Sequence, residues 1–476
     1  MNTGRPATSR WLVLVLVCLA QFMVVLDATV VNVALPSIQG DLDFSSSSLQ
    51  WVVNGYTLVF GGFLLLGGRA ADLLGRKRLF IAGTAVFTLA SLLSGLAQSP
   101  EMLISARALQ GLGGALVSPA ALSIITTTFA DGPERTRALG VWGAIAGSGG
   151  AFGLLLGGLL TETLSWEWVF FVNVPIGLAT IIASARFVPE SLGVGERRGF
   201  DLGGAVSVTS GLVILTYAIV KAQDFGWGDP RMLGLGALAA MLLAAFVAIE
   251  RRSPSPLVRL GILRTRSLAA TNAVMLLVAG GLFSMFFFGG LYLQNVLGYD
   301  PLEAGLAFLP MTAGIVAGSM LSQRLIPRFG VKNVLLGGLS VAAVGLALMT
   351  RVEPDSSYVG VVLPAFVLMA IGMGNAFVPL TLTATTNVSP EDQGLASGLF
   401  NTAQQVGGAL GLAVLSTLAA NRTDGATDPA ALVDGFHVAF TAGAGLIAIG
   451  AIITAVALRR RDVATIDASD ALPVPV

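Results

Sequence analysis

The stretch WLVLVLVCLAQFMVVLDATVVNVAL, residues 11–35, is mostly apolar and carries a single charge, the carboxylate of Asp27. A helix crosses the hydrocarbon core of a bilayer with about 20 mostly apolar residues, so this run is long enough to span. Arg5 and Arg10 precede it, as basic residues precede a signal peptide. It is longer than a signal h-region, however, and no small-x-small cleavage site closes it, so it reads as a retained membrane helix. Between Arg10 and Asp41 the chain has no charge other than Asp27. A segment built to avoid water keeps one acid, and a charge inside a membrane is expensive and marks a function by default.

Composition extends this reading to the whole chain. Of 476 residues, 54% are hydrophobic and 11% charged, and the mean hydropathy is +0.81. A soluble domain carries roughly 25% charged residues, so this chain has too little polar surface to face water. Its 59 glycines suit close helix packing in lipid. The formal net charge of zero gives no nucleic-acid signal. A single cysteine, Cys18, rules out an intramolecular disulfide and any multi-cysteine metal site. The only histidine, His437, opens an apolar run and reads as structural or interfacial. None of the three lysines, Lys77, Lys221 and Lys332, follows a glycine, so no Walker A loop exists. Uphill transport would then draw on an ion gradient. No His, Cys or Ser–base grouping supports catalysis, so the chain reads as neither an enzyme nor a metalloprotein.

Fourteen apolar runs are long enough to span, near 11–35, 49–67, 79–97, 102–124, 138–160, 168–188, 202–220, 232–249, 269–293, 303–322, 333–350, 358–379, 396–419 and 437–457. With the N-terminus inside, the outer loops hold only Lys221, Arg231, Arg351 and Arg422, and Arg107 falls within a run. The rest of the 27 basic residues lie on the inner side, as the positive-inside rule requires, and both termini are expected in the cytoplasm. The chain also repeats itself. GLGGALVSP (111–119) matches GMGNAFVP (372–379), GGAFGL (149–154) matches GGALGL (407–412), and LLGRK (73–77) is echoed by RFGVK (328–332). Runs one to six thus match runs nine to fourteen. Two similar halves are the sequence mark of a transporter that alternates access around a central site. The expected division is 1–190 and 267–457 for the six-helix halves, 191–266 for two inserted helices and an inner linker, and 458–476 for a cytoplasmic tail. On these matches Arg107 maps to Leu368, and Asp27 maps near Met285 or Phe286.

Four motifs stand out: LDATVVNVALP (26–36), GRAADLLGRKR (68–78), Arg107 to Gly114 in the fourth run, and a glycine-rich fifth run from Gly143 to Gly158. Together they resemble the major facilitator superfamily, and within it the fourteen-helix drug:proton antiporter family, over almost the whole chain. The resemblance implies an all-α integral membrane protein of the major facilitator fold, with two pseudo-symmetric six-helix halves plus two inserted helices. It implies an efflux antiporter of the bacterial cytoplasmic membrane. It also implies roles for the helix-one acid, Asp27, in coupling and for the helix-four arginine, Arg107, in proton transfer. For the loop motif of Gly68, Asp72, Gly75, Arg76 and Lys77 it implies an inner latch between the halves, besides the topology anchor that the basic charge gives by itself. In the fifth run Gly149, Gly153, Gly157 and Gly158 carry the family's close-packing pattern. The chain departs from that pattern at Leu154, where proline is usual, and at Glu167, where arginine is usual.

The residues themselves leave two readings of Asp27. Its depth and that of Arg107 differ by roughly 5 Å at 1.5 Å rise per residue, a gap an arginine side chain covers. Alternatively Arg107 snorkels to the surface and Asp27 bonds backbone or Asn32. A carboxylate balanced between desolvation and a nearby cation can take and release a proton. Candidate cavity residues are Asn32, Asn54, Tyr56 and Gln110 in the first half and Phe286, Tyr292, Asn401, Gln404 and Gln405 in the second. The aromatic ones are suited to stacking on aromatic or cationic cargo. Asp300, Pro301 and Glu303 read as a helix capping box. The expected activity is proton-driven export of lipophilic or cationic drugs, with the export of a lipid, siderophore or specific metabolite, or an uptake symport, as alternatives. The expected partners are a small-molecule substrate, protons and membrane lipids. No cofactor is expected beyond the proton as coupling ion, and a monomer is expected.

Overall fold

The computed structural model describes residues 10–459, apart from 46–47, 130–132, 191–200, 255, 257, 259, 386–392, 424 and 427. The helices are α1 (Arg10–Asp41), α2 (Trp51–Leu74), α3 (Arg76–Gly95), α4 (Pro100–Thr128), α5 (Pro133–Thr163), α6 (Trp168–Phe171), α7 (Asn173–Phe187), α8 (Leu202–Phe225), α9 (Pro230–Arg252), α10 (Arg266–Leu291), α11 (Pro301–Ala307), α12 (Leu309–Phe329), α13 (Val331–Leu348), α14 (Leu363–Thr385), α15 (Gln393–Thr423) and α16 (Pro429–Ala457). The short α6 and α11 continue into α7 and α12, so each of the fourteen apolar runs is one helical rod. Among the described residues 12 helices are long and apolar enough to cross a membrane, and α2 and α5 contribute the shorter apolar stretches Trp51–Leu64 and Phe152–Thr163. The backbone satisfies its own hydrogen bonds within each rod, as lipid requires.

Local chemistry sets several helix boundaries. Ser99 caps α4 by accepting from the Met102 N–H at 3.3 Å, with Pro100 in the first turn. Asp300 and Glu303 form the capping box of α11, with both reciprocal bonds present. Helix α2 runs through Asp72 to Leu74, past the end of its apolar run, and the turn into α3 falls on Gly75 at φ +105°. Gly330, φ +77°, makes the equivalent turn between α12 and α13. Only glycine adopts such a backbone without strain.

The chain forms two compact units: Met1–Phe44 with Trp51–Thr209 and Ser253–Leu257, and Ser45–Gln50 with Ser210–Arg252 and Val258–Val476. Inside the first, α1 packs on α4, α5 and α7, α2 on α4, and α3 on α4 and α7. Inside the second, α10 packs on α14, α15 and α16, α12 on α14, and α13 on α14 and α16. The repeat seen in the sequence is therefore a repeat of packing. Helix α9 buries only Met232, Ala239 and Glu250 and leaves Leu233 and Met241 exposed. Contiguous exposed apolar residues of this kind suit contact with lipid.

Candidate functional site

The charges of the first unit meet in its interior. Arg107 on α4 extends its guanidinium to Asp27 on α1, with Nη1 2.6 Å from Oδ2. The same Nη1 donates to Gln110 Oε1 at 2.8 Å, and Nε donates to the Val52 carbonyl at 3.0 Å. Gln110 returns a bond from Nε2 to Asp27 Oδ1 at 2.7 Å. Arg107 lies over the Tyr56 ring at 4.6 Å from its centroid and 5.6 Å from that of Phe170. Asp27 and Gln110 are 0% exposed and Arg107 1%, so water does not screen the pair. Buried charges persist only when paired and hydrogen-bonded, and here each has several partners. Arg107 does not snorkel to the surface, and Asn32 is no partner of Asp27. The Asn32 amide donates to the Ala28 and Thr29 carbonyls of its own helix at 3.3 and 3.2 Å.

A third donor to Asp27 is absent from the sequence reading. Asn173, in the first turn of α7, donates from Nδ2 to Asp27 Oδ1 at 2.9 Å and to Ser91 Oγ on α3 at 3.0 Å. Ser91 in turn donates to the Phe170 carbonyl of α6 at 2.8 Å. Both residues are uncharged and fit the polar background of helix ends and small-residue stretches. No feature of the sequence alone marked them, because what distinguishes them is that three helices converge there.

The glycines of α5 press against the same part of α1. A Cβ at Gly153 would lie against Thr29 and 3.0 Å from the Leu26 carbonyl, and one at Gly157 would lie 2.6 Å from the Val30 carbonyl. Gly158 is buried, and the surroundings of Gly149 lie outside the described residues. Leu154, in the place of the family proline, is buried in an unbroken α5. The loop motif binds the end of α7. Lys77 Nζ donates to the Ala185 carbonyl at 2.7 Å, the Lys77 N–H donates to Glu190 Oε1 at 3.1 Å, and Arg78 Nε is 3.6 Å from Glu190 Oε2. Gly75 gives Glu190 room, since a Cβ there would meet Oε1 at 2.7 Å. Gly68 touches Pro119 no more closely than ordinary contact, Arg76 opens α3, and the side chain of Asp72 lies outside the described residues. Of the remaining first-half candidates, Tyr56 serves the ion pair and Asn54 is buried.

In the second unit the candidates are scattered. Tyr292 is 0% exposed and donates to the Glu353 carbonyl at 2.8 Å, which makes it an interior strut rather than a cavity wall. Phe286 lies 5.6 Å from Phe308, which stacks on Phe366 at 5.0 Å. Asn401 is exposed, and Gln404 and Gln405 are half-buried along α15. His437 bonds the Val352 carbonyl at 2.7 Å and is structural.

The packing fixes which residues of the two units correspond. Lys332 Nζ reaches the Ala455 carbonyl at 2.7 Å, as Lys77 reaches Ala185. Reading along α13 and α16 from these anchors, Leu346 stands for Ser91 and Gly443 for Asn173. A Cβ on Gly443 would lie 3.0 Å from Leu346 and 3.1 Å from Ser284 Oγ, so Ser284 stands for Asp27. Gly113 abuts Phe87 and Gly372 abuts Ala342, its counterpart, which places Phe366 opposite Arg107. The sequence matches had placed these two at Met285 or Phe286 and at Leu368. A short motif fixes helical register only to a residue or two, and the neighbouring helix decides the face.

Comparison with known proteins agrees with this architecture. The family model described as Major Facilitator Superfamily matches residues 17–412. The puromycin resistance protein of Streptomyces alboniger is 43% identical, covering 99% of this chain and 95% of that protein. The cephamycin export protein of Amycolatopsis lactamdurans is 43% identical over 96% of this chain and 94% of its own length. Among solved structures, a bacterial homologue of the human lysosomal transporter Spinster superposes with a TM-score of 0.66 at 19% identity, covering 97% of this chain and 98% of that one. With its repeated six-helix packing and a match over most of its length, the chain belongs to the Major Facilitator Superfamily.

Proposed function

We propose that this protein is a proton-driven exporter of small lipophilic or cationic antibiotics in the bacterial cytoplasmic membrane, with both termini in the cytoplasm. The observation that carries the reading is the Asp27–Arg107 pair, fully buried in a bundle that folds without a counterpart to it in the second unit. A membrane protein keeps an intramembrane ion pair where it serves ion movement. A proton on Asp27 removes the charge attraction within the pair, and loss of the proton restores it. The carboxylate is thus a two-state element that both proton and cargo can bias. Two relatives matched over most of their length are named for puromycin resistance and cephamycin export, which supports an antibiotic as cargo and outward transport as its direction. The basic residues on the inner loops support the orientation. The protein acts as a transporter and not as an enzyme, as a monomer among membrane lipids, with the proton as its only coupling ion.

Everted membrane vesicles with an acid interior provide the test. A panel of lipophilic cations and antibiotics is added, and collapse of the proton gradient is followed in wild type and Asp27→Asn. We expect at least one compound to dissipate the gradient in wild type and not in the variant. An equal response in both removes Asp27 from the proton path. No response in wild type to any compound removes the antibiotic reading and leaves a lipid or specific metabolite as cargo.

A further inference from the structure

We propose that the Asn173 side-chain amide reads the protonation state of Asp27 and passes it to the junction between α6 and α7. The inference rests on the proton-exchange reading above. It starts from an imbalance in the hydrogen bonds. Asn173 is 0% exposed, and its Nδ2 gives one hydrogen bond to Asp27 and one to Ser91. Its Oδ1 is buried with no hydrogen-bond partner among the described residues. Asn272 and Asn375 also have a buried Oδ1 without a partner among the described residues, but their amides donate to the Leu268 and Val334 carbonyls, whereas that of Asn173 faces a carboxylate. The orientation follows from the ionised carboxylate: turned the other way, Oδ1 would sit against a carboxylate oxygen.

A proton on Asp27 reverses that preference. The new O–H needs an acceptor, and the groups around it offer few. Arg107 on α4 has only donors. Gln110 Oε1 is engaged by Arg107, and Gln110 Nε2 is itself a donor to Asp27. Tyr56 on α2 lies with its ring under the guanidinium. Among the described residues that hydrogen-bond Asp27, Asn173 is the one whose Oδ1 has no partner. A half-turn of the amide exchanges its nitrogen and oxygen, which are nearly equal in size. The Asp27 O–H then donates to Oδ1, Nδ2 gives up its bonds to Asp27 and Ser91, and the proton remains on Asp27 until it is released.

The same half-turn sets Oδ1 against Ser91 Oγ. The Ser91 hydroxyl has one proton, which it now gives to the Phe170 carbonyl. It must turn that proton to Asn173 and let Phe170 go. Phe170 belongs to the four-residue α6, and Val172 separates α6 from α7. The second unit has no such relay, since Gly443, Leu346 and Ser284 hold the corresponding places. Asn173 is therefore a positioning residue with two settings. Through it the protonation state of Asp27 is felt at the backbone of the α6–α7 junction.

The test uses the full chain in proteoliposomes, with asparagine side chains carrying a carbon-13 carboxamide, and infrared difference spectra recorded across a pH titration. We expect a protonated-carboxyl band that is lost in Asp27→Asn. We also expect a labelled amide-carbonyl shift with the same pH midpoint, lost in Asp27→Asn and in Asn173→Ser. If Asn173→Ser fails to fold, Asn173→Gln, whose amide escapes the asparagine label, takes its place and should likewise lose the labelled shift. A carboxyl band that titrates with no accompanying amide shift, or with one surviving in Asn173→Ser, overturns the role of Asn173 and leaves proton exchange at Asp27 intact. No titrating carboxyl band assignable to Asp27 overturns the proton-exchange reading, and this inference with it.

Discussion

Where the first unit has Asp27, Ser91, Arg107 and Asn173, the second has Ser284, Leu346, Phe366 and Gly443. The helices around these positions pack in the same pairs, and the turns at Gly75 and Gly330 and the lysines that follow them are alike. One centre is a buried ion pair held by amides. The other is a cluster of the rings of Phe286, Phe308 and Phe366. The second unit shows that this scaffold folds around rings alone. The charges of the first unit are thus not what the fold needs, and their desolvation works against stability. In the proposed function they are retained for what they do when the proton arrives.

Four sets of substitutions can break or sharpen that contrast. The largest effect belongs to Arg107→Ala, which strands a buried carboxylate and should destabilise the first unit by about 3–5 kcal/mol. Thermal unfolding in detergent should show the loss, and adding Asp27→Asn to Arg107→Ala should recover most of it. No recovery would mean that the guanidinium contributes through packing on Tyr56 and Phe170 instead. Next come Gly113→Val and Gly372→Val, each forcing a side chain into an adjacent helix backbone. Each should cost about 1–3 kcal/mol, and the two should be alike within error. A large difference between their unfolding midpoints would argue against the register that pairs Arg107 with Phe366. Phe366→Leu should be mild, less than about 1.5 kcal/mol, because the ring sits among apolar neighbours that can close in. It should leave the pH dependence of gradient collapse unchanged, and a shifted pH profile would mean that the second unit takes part in proton handling. The smallest effects are expected from Lys77→Ala and Lys332→Ala. Each removes a cation from helix C-terminal carbonyls, worth about 0.3–1 kcal/mol. Matched small losses would support the equivalence of the two turns. A much larger loss for Lys77→Ala would single out the additional contacts of that loop with Glu190.

The sequence by itself determined the class of fold. Apolar run length, the bias of basic residues and the repeated glycine motifs are properties of local composition, and lipid imposes them on each helix separately. They were enough to delimit every rod to within about two turns and to single out Asp27 and Arg107, because a charge in an apolar run is visible without any neighbour. The capping box at Asp300 and Glu303 was legible for the same reason: its partners lie within four residues. Only the tertiary structure decided who meets whom. Asn32 lies closer to Asp27 in sequence, yet it bonds its own helix, whereas Asn173 and Ser91 come from α7 and α3 to complete the cluster. Tyr292 reads as a cavity residue by type and is an interior strut by position. The repeat was visible in the motifs, but its true register was not, since a shift of one or two residues leaves a motif looking similar while turning a helix face by 100° or more. Uncharged polar residues carry little signal along one chain. Their meaning comes from a buried carboxylate that another helix brings within hydrogen-bonding distance.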